Sequence, residues 1–171
     1  MGFVRTIYHS SLSLFYMYTI YVYIYALTPP EDIKKMRNIG GGQLKYLTYW
    51  DMLIQCFYFT LALINDVFGT DTISKRRKSN LQKMRDFLFS TVVFAAGSFV
   101  SVSFWSLWAV DRKLIFPVEF DTWFPMWLNH GIHTLPVVGV LIEMFTTCHT
   151  FPTRNAGLLT VSAFASAYLS W

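Results

Sequence analysis

Five polar residues stand inside apolar runs: Thr48 and Asp51 in KYLTYWD (residues 45–51), and Asn129, His130 and His133 in WLNHGIHTLP (residues 127–136). On a helix Thr48 and Asp51 are i and i+3, His130 and His133 are i and i+3, and Asn129 and His133 are i and i+4, so each set shares a face. A threonine hydroxyl is a poor nucleophile until a base takes its proton, and histidine is the commonest base near neutral pH. Asp51, Asn129 or His130 can orient the imidazole as the third member of a triad does. Such a set suits acyl transfer: the hydroxyl attacks an ester carbonyl, and water splits the acyl-threonine. A second chemistry uses the same residues, with His130, His133 and Asp51 ligating zinc and water in the fourth position. HxxH lacks the intervening base that HExxH provides. Taken singly, each residue has a plainer reading. Thr48 is a helix cap or a back-bonded hydroxyl, Asp51 complements a helix dipole, and His133 bonds across helices.

Composition says what surrounds these residues. The chain is 54% hydrophobic and only 14% charged, against about 25% charged in an average soluble domain. The apolar residues fall in blocks, the pattern of a membrane protein. A net charge of +4 does not indicate nucleic acid, because the basic residues sit in short loops between apolar blocks. Cys56 lies in one block and Cys148 just after another, a spacing that suggests neither a disulfide nor a cysteine-zinc site. The first residues lack a small-residue cleavage site, so a retained first helix is expected.

The blocks predict helices over about 7–27, 46–68, 87–110, 123–145 and 157–171 of a single membrane domain. The stretch YTIYVYIY alternates with period two and competes as a strand. Its block is long enough for a helix, since about 30 Å of hydrocarbon needs about 20 residues. The second block is entered through Gly40-Gly41-Gly42 and the first ends at Pro29-Pro30. Residues 157–171 would rise only about 22 Å, so four full spans and an incomplete fifth are expected. This reads as a chain that ends early, a short isoform or a fragment.

Arg5, the SKRRK segment with Lys83 and Arg85, and Arg154 place eight basic residues on one side, against six on the other. A cytoplasmic N-terminus follows, in a plasma membrane or endomembrane. Thr48 then begins its helix near the opposite face. His133 lies about ten residues into its block, roughly 15 Å deep. Pro136 has no N–H for the carbonyl of Ile132 and favours a kink beside His133, where Gly131 removes side-chain bulk. An ionisable group at that depth faces protein interior and marks a site. His149 falls beyond the far end of its block, an unlikely ligand, and His9 reads as interfacial.

The stretches GGQLKYLTYWDMLIQ, DFLFSTVVFAAGSFVSVSFW, DRKLIFP and WLNHGIHTLPVVGVLIEM together closely resemble the androgen-induced and androgen-dependent TFPI-regulating membrane proteins. The match in order and spacing extends to GLLTVSAFASAYLSW. The resemblance implies six-helix integral membrane hydrolases with both termini cytoplasmic. They cleave fatty acid esters of hydroxy fatty acids, using a threonine and a histidine without a metal or other cofactor. The threonine of the KYLT motif falls on Thr48, and the second histidine of NHGxH on His133. His130 matches the first histidine, which is not the catalytic member. Asp51 matches an aspartate of open role. Family members continue past the YLSW position to finish helix five and add helix six.

The expectation is therefore an all-α polytopic bundle whose partners are a lipid ester and the bilayer. The rival is a non-catalytic membrane scaffold or regulator.

Overall fold

The computed structural model describes residues 2–39 and 41–170. Met1, Gly40 of the glycine run, Trp171 and the side chains of Met36, Arg37 and Asn38 lie outside the described residues. Among those described, every regular element is helical. Helix α1 (Gly2–Tyr21) widens into a π turn at Val22–Ala26 and stops before Pro29-Pro30, which cannot donate to a helix ladder. The alternating tyrosine tail is thus helical, because intrahelical bonds satisfy its backbone without a partner strand. A short α2 (Glu31–Asn38) carries Glu31 and Asp32 at its positive end. Gly41 and Gly42 take φ of 84° and 63°, a left-handed backbone that suits glycine, and the chain enters α3 (Leu47–Phe68) through one 3-10 turn.

The Ser79 hydroxyl caps α4 (Asn80–Leu88) by accepting from the Gln82 N–H. A π turn, Phe89–Val93, joins α4 to α5 (Phe94–Val110). Ser90 and Thr91 bond back to the carbonyls of Asp86 and Phe87 there. The apolar block at 123–145 is two helices, α6 (Met126–His133) and α7 (Leu135–Thr146), meeting at Thr134. The break falls at the residue before Leu135-Pro136, with Pro136 in the first turn of α7, where its missing N–H costs least. Helix α8 (Arg154–Leu169) is capped by Thr153 and has no buried residue.

Among the described residues two helices are long and apolar enough to cross a membrane, Leu47–Phe68 and the continuous rod Asn80–Val110. The distribution of residue types says the same. Phe57, Ile64, Phe99, Val102 and Phe145 face outward, while Asp51, Gln55, Asn65, Arg85, Asn129 and Glu143 are buried. Polar inside and apolar outside reverses the order that water imposes and fits an apolar surround.

Helices α1 and α3 pack antiparallel. Ser13 meets Thr60 at 2.8 Å, Tyr16 stacks on Phe59 with ring centres 6.1 Å apart, and Tyr23 meets Tyr49. The hydroxyl of Tyr8 donates to the carbonyl of Gly139 at 2.6 Å, tying α1 to α7. Helix α8 rests on the start of α3, where Trp50 contacts Phe164 and Tyr168, and the Tyr168 hydroxyl donates to the carbonyl of Lys45.

Lipid tails are as apolar as this core, so close packing holds these helices rather than escape from water. Phe59 is fully buried and Phe57 is 58% exposed. Phe59→Ala is expected to cost about 3 kcal/mol through the cavity it leaves, and Phe57→Ala to cost little. Thermal unfolding of the two variants in detergent checks the difference.

Candidate active site

Thr48 is the second residue of α3, not its cap; the cap position is Tyr46. His133 is the last residue of α6. The break after it turns the chain, and the two side chains meet across 85 residues of sequence, with Thr48 Oγ1 3.5 Å from His133 Nε2. That is the outer edge of hydrogen-bond reach, and such contacts tighten when a substrate closes a site. His133 is 8% exposed.

The other ring nitrogen, Nδ1, lies 2.8 Å from Asn129 Oδ1 and 3.2 Å from the Asn129 carbonyl. Both partners accept, so Nδ1 carries the proton and the Nε2 lone pair faces Thr48. Asn129 is therefore the group that orients the imidazole. Asp51 is not: it is fully buried, and its Oδ1 accepts from Gln55 Nε2 at 3.1 Å. The two lie one turn apart on α3, and a buried carboxylate takes the nearest donor. His130 is exposed, its Nδ1 lies 2.9 Å from Thr134 Oγ1, and its ring stacks on Trp105. His130, His133 and Asp51 thus have separate partners. No group of three or more His, Cys, Asp or Glu is arranged for a metal among the described residues.

A cavity of about 330 Å³ opens at the pair. Its walls are apolar and aromatic, including Phe99, Leu107, Phe116, Phe120 and Ile132, and its polar side chains include Thr48, Ser103 and His133. Ile33 of α2 lines it as well. A mostly apolar wall with a few polar groups is the usual make-up of a small-molecule site.

A second buried polar centre, missed in the sequence, lies toward the other end of α3 and α7. His9 bridges Asp66 at 2.7 Å and Glu143 at 2.8 Å. It is fully buried between α3 and α7, two turns into α1. Glu143 also accepts from Tyr58 and Thr147. His149 stacks on Phe89 at 4.0 Å and stands 3.4 Å from both Asp86 and Glu143. Asp86 in turn pairs with Lys78 and Arg85, and Arg5 pairs with Asp66 and Asp71. Ionisable residues inside apolar blocks, Asp66 and Glu143, were the available signal. Their pairing through His9 was not, since the partners are 57 and 134 residues away.

Comparison with known proteins gives the family. The family model described as FAR-17a/AIG1-like protein matches residues 4–171. The chain belongs to this family. It is 35% identical over 137 residues to the human Androgen-induced gene 1 protein, covering 77% of this chain and 58% of that one. It is 35% identical over 164 residues to the Androgen-dependent TFPI-regulating protein of Mesocricetus auratus, covering 96% and 70%. It is 23% identical over 137 residues to a UPF0641 membrane protein of Schizosaccharomyces pombe, covering 80% and 57%. The chain thus spans 57% to 70% of the length of these relatives. No solved structure matches. The relative named as a membrane protein and the apolar helices of this FAR-17a/AIG1-like chain together point to a membrane.

The His149 loop of this family member carries a pH dependence. Burial opposes charge on His149, and the facing carboxylates Asp86 and Glu143 outweigh both burial and the repulsion from Arg85, so its pKa is raised above the ordinary histidine range. A raised folded pKa stabilises below the unfolded value, about 6.5, and that stability is lost as pH rises through the folded value. The melting temperature in detergent is expected to fall as pH climbs above about 6.5, and His149→Gln to flatten that part of the slope.

Proposed function

We propose that this protein hydrolyses lipid esters within the membrane, with Thr48 as nucleophile and His133 as general base. The observation that carries the reading is the 3.5 Å approach of Thr48 Oγ1 to His133 Nε2 at an apolar cavity. His133 takes the hydroxyl proton on Nε2 as Oγ1 bonds to the ester carbonyl carbon. The N–H groups of Leu47 and Thr48 at the start of α3 are the donors proposed for the oxyanion, since those of Tyr49 and Trp50 are taken by the Tyr46 carbonyl. The C–O bond to the leaving alcohol breaks, and Nε2–H returns its proton to that alcohol. Water then attacks the acyl-threonine with His133 taking its proton; the C–Oγ1 bond breaks, Nε2–H returns the proton to Oγ1, and the acid leaves. Asn129 holds the tautomer throughout.

The substrate class proposed is the fatty acid ester of a hydroxy fatty acid, which releases a fatty acid and a hydroxy fatty acid. Its two apolar arms suit an apolar cavity, and family resemblance at KYLT and NHGIH supports the choice. The proposed topology is four spans and a partial fifth, with the N-terminus cytoplasmic. A second reading, a regulator of a partner protein, draws on the name of the TFPI-regulating relatives. It expects Thr48→Ala and His133→Ala to leave the cellular effect intact.

Purified in detergent and given a branched fatty acid ester, Thr48→Ala and His133→Ala are expected to lose on the order of 10²- to 10⁴-fold in turnover. Asn129→Ala is expected to lose less, and a chelator to change nothing. Parental turnover in either of the first two variants removes that residue from the mechanism.

A further inference from the structure

We propose that Ser101, Phe104 and Trp105, one face of α5, are positioning residues for the His133 imidazole. They splint the helix break on which it stands and stack against its ring. The proposal rests on the ester-hydrolase reading for its kinetic consequence, and on hydrogen bonds and ring contacts alone for its structural one.

In an unbroken helix the N–H of Val137 would donate to the carbonyl of His133. At Thr134 the backbone leaves that register, with φ −110° and ψ −48°. Both freed groups are met by α5. The indole N–H of Trp105 donates to the His133 carbonyl at 3.1 Å. The Val137 N–H donates to Ser101 Oγ at 3.3 Å. Ser101 and Trp105 are i and i+4, so they stand one turn apart on one face. Together they replace the missing bond from both of its ends. An unmet backbone group has no water to turn to in an apolar surround, so the break is stable only while α5 supplies these two side chains.

Phe104 lies on the same face. Its ring is parallel to the imidazole within 9°, with centres 3.6 Å apart. The stack limits rotation of the ring and leaves both nitrogens free at its edge, Nδ1 for Asn129 and Nε2 for Thr48. Trp105 also donates to Thr134 Oγ1 at 3.1 Å, and that oxygen lies 2.9 Å from His130 Nδ1. His130 therefore braces the outer side of the same splint, a role for the first histidine that is neither catalytic nor metal-binding.

The test uses the full chain in detergent. Trp105→Phe keeps an aromatic ring and removes the donor; Ser101→Ala removes the acceptor and Ser101→Thr restores it; Phe104→Leu removes the stack. For the first, second and fourth, kcat on a fatty acid ester of a hydroxy fatty acid is expected to fall about tenfold to a hundredfold, with KM little changed. Ser101→Thr is expected to keep most of the parental kcat. A second readout needs no activity: in ¹⁵N-histidine spectra the His133 resonances, assigned by their loss in His133→Gln, should shift or broaden in Trp105→Phe and Phe104→Leu. Parental kcat and unmoved His133 resonances in these variants overturn the proposal, even where Thr48→Ala is inactive. A parent without esterase activity but with His133 resonances that move in the variants overturns the hydrolase reading and leaves the splint standing.

Discussion

A polar side chain within an apolar surround has no water to fall back on, so it is met by another polar group or carries a large penalty. That constraint organises the whole bundle. The sequence scatters buried polar residues along apolar helices, and the fold gathers most of them into two places, while Asp51 stands apart with Gln55. Toward one end, Arg5, His9, Asp66, Glu143, His149, Asp86, Arg85 and Lys78 form a continuous chain of pairs joining α1, α3, α4, α7 and the loop after α7. Removing any one partner from such a network strands a buried charge. This end is therefore the fastened one.

The other end is organised differently. Its polar groups, Thr48, Asn129 and His133, are held in a short line at an apolar cavity rather than in a closed net. A nucleophile and a base must face something other than each other, and open space beside them provides it. The helices stay in register because the fastened end and the antiparallel α1–α3 contact fix their relative positions. The cavity can then exist without the bundle closing on it. A small residue helps at the break: a Cβ at Gly131 would come within 2.9 Å of the Phe15 ring, which would have to shift to admit it.

The break between α6 and α7 is the costly feature and the useful one. An intact helix over 123–145 would pair the His133 carbonyl with the Val137 N–H but would still leave the Ile132 carbonyl without a partner, because Pro136 has no N–H. Interrupting it frees a carbonyl and an amide, and these are taken up by a neighbouring helix. Local order around the imidazole is thus supplied from outside its own segment.

Much was legible from composition and spacing. The all-helical class follows from apolar blocks, because in lipid a lone segment can satisfy its backbone only as a helix. The shared face of Asn129 and His133 follows from helical periodicity, and so does the disturbance expected from Pro136. His133 stood out because imidazole groups are unusual inside such blocks, and Thr48 because Asp51 shares its face one turn on and because of the KYLT resemblance. What spacing could not say is which of Asp51, Asn129 and His130 turns toward the imidazole, since all three are within one turn of a candidate residue. It also gave no sign that Ser101, Phe104 and Trp105 belong to the site, or that His9 is buried between two carboxylates. Periodicity reports which residues share a face of one helix. Which faces meet depends on how separate helices pack, and that was decided only in three dimensions.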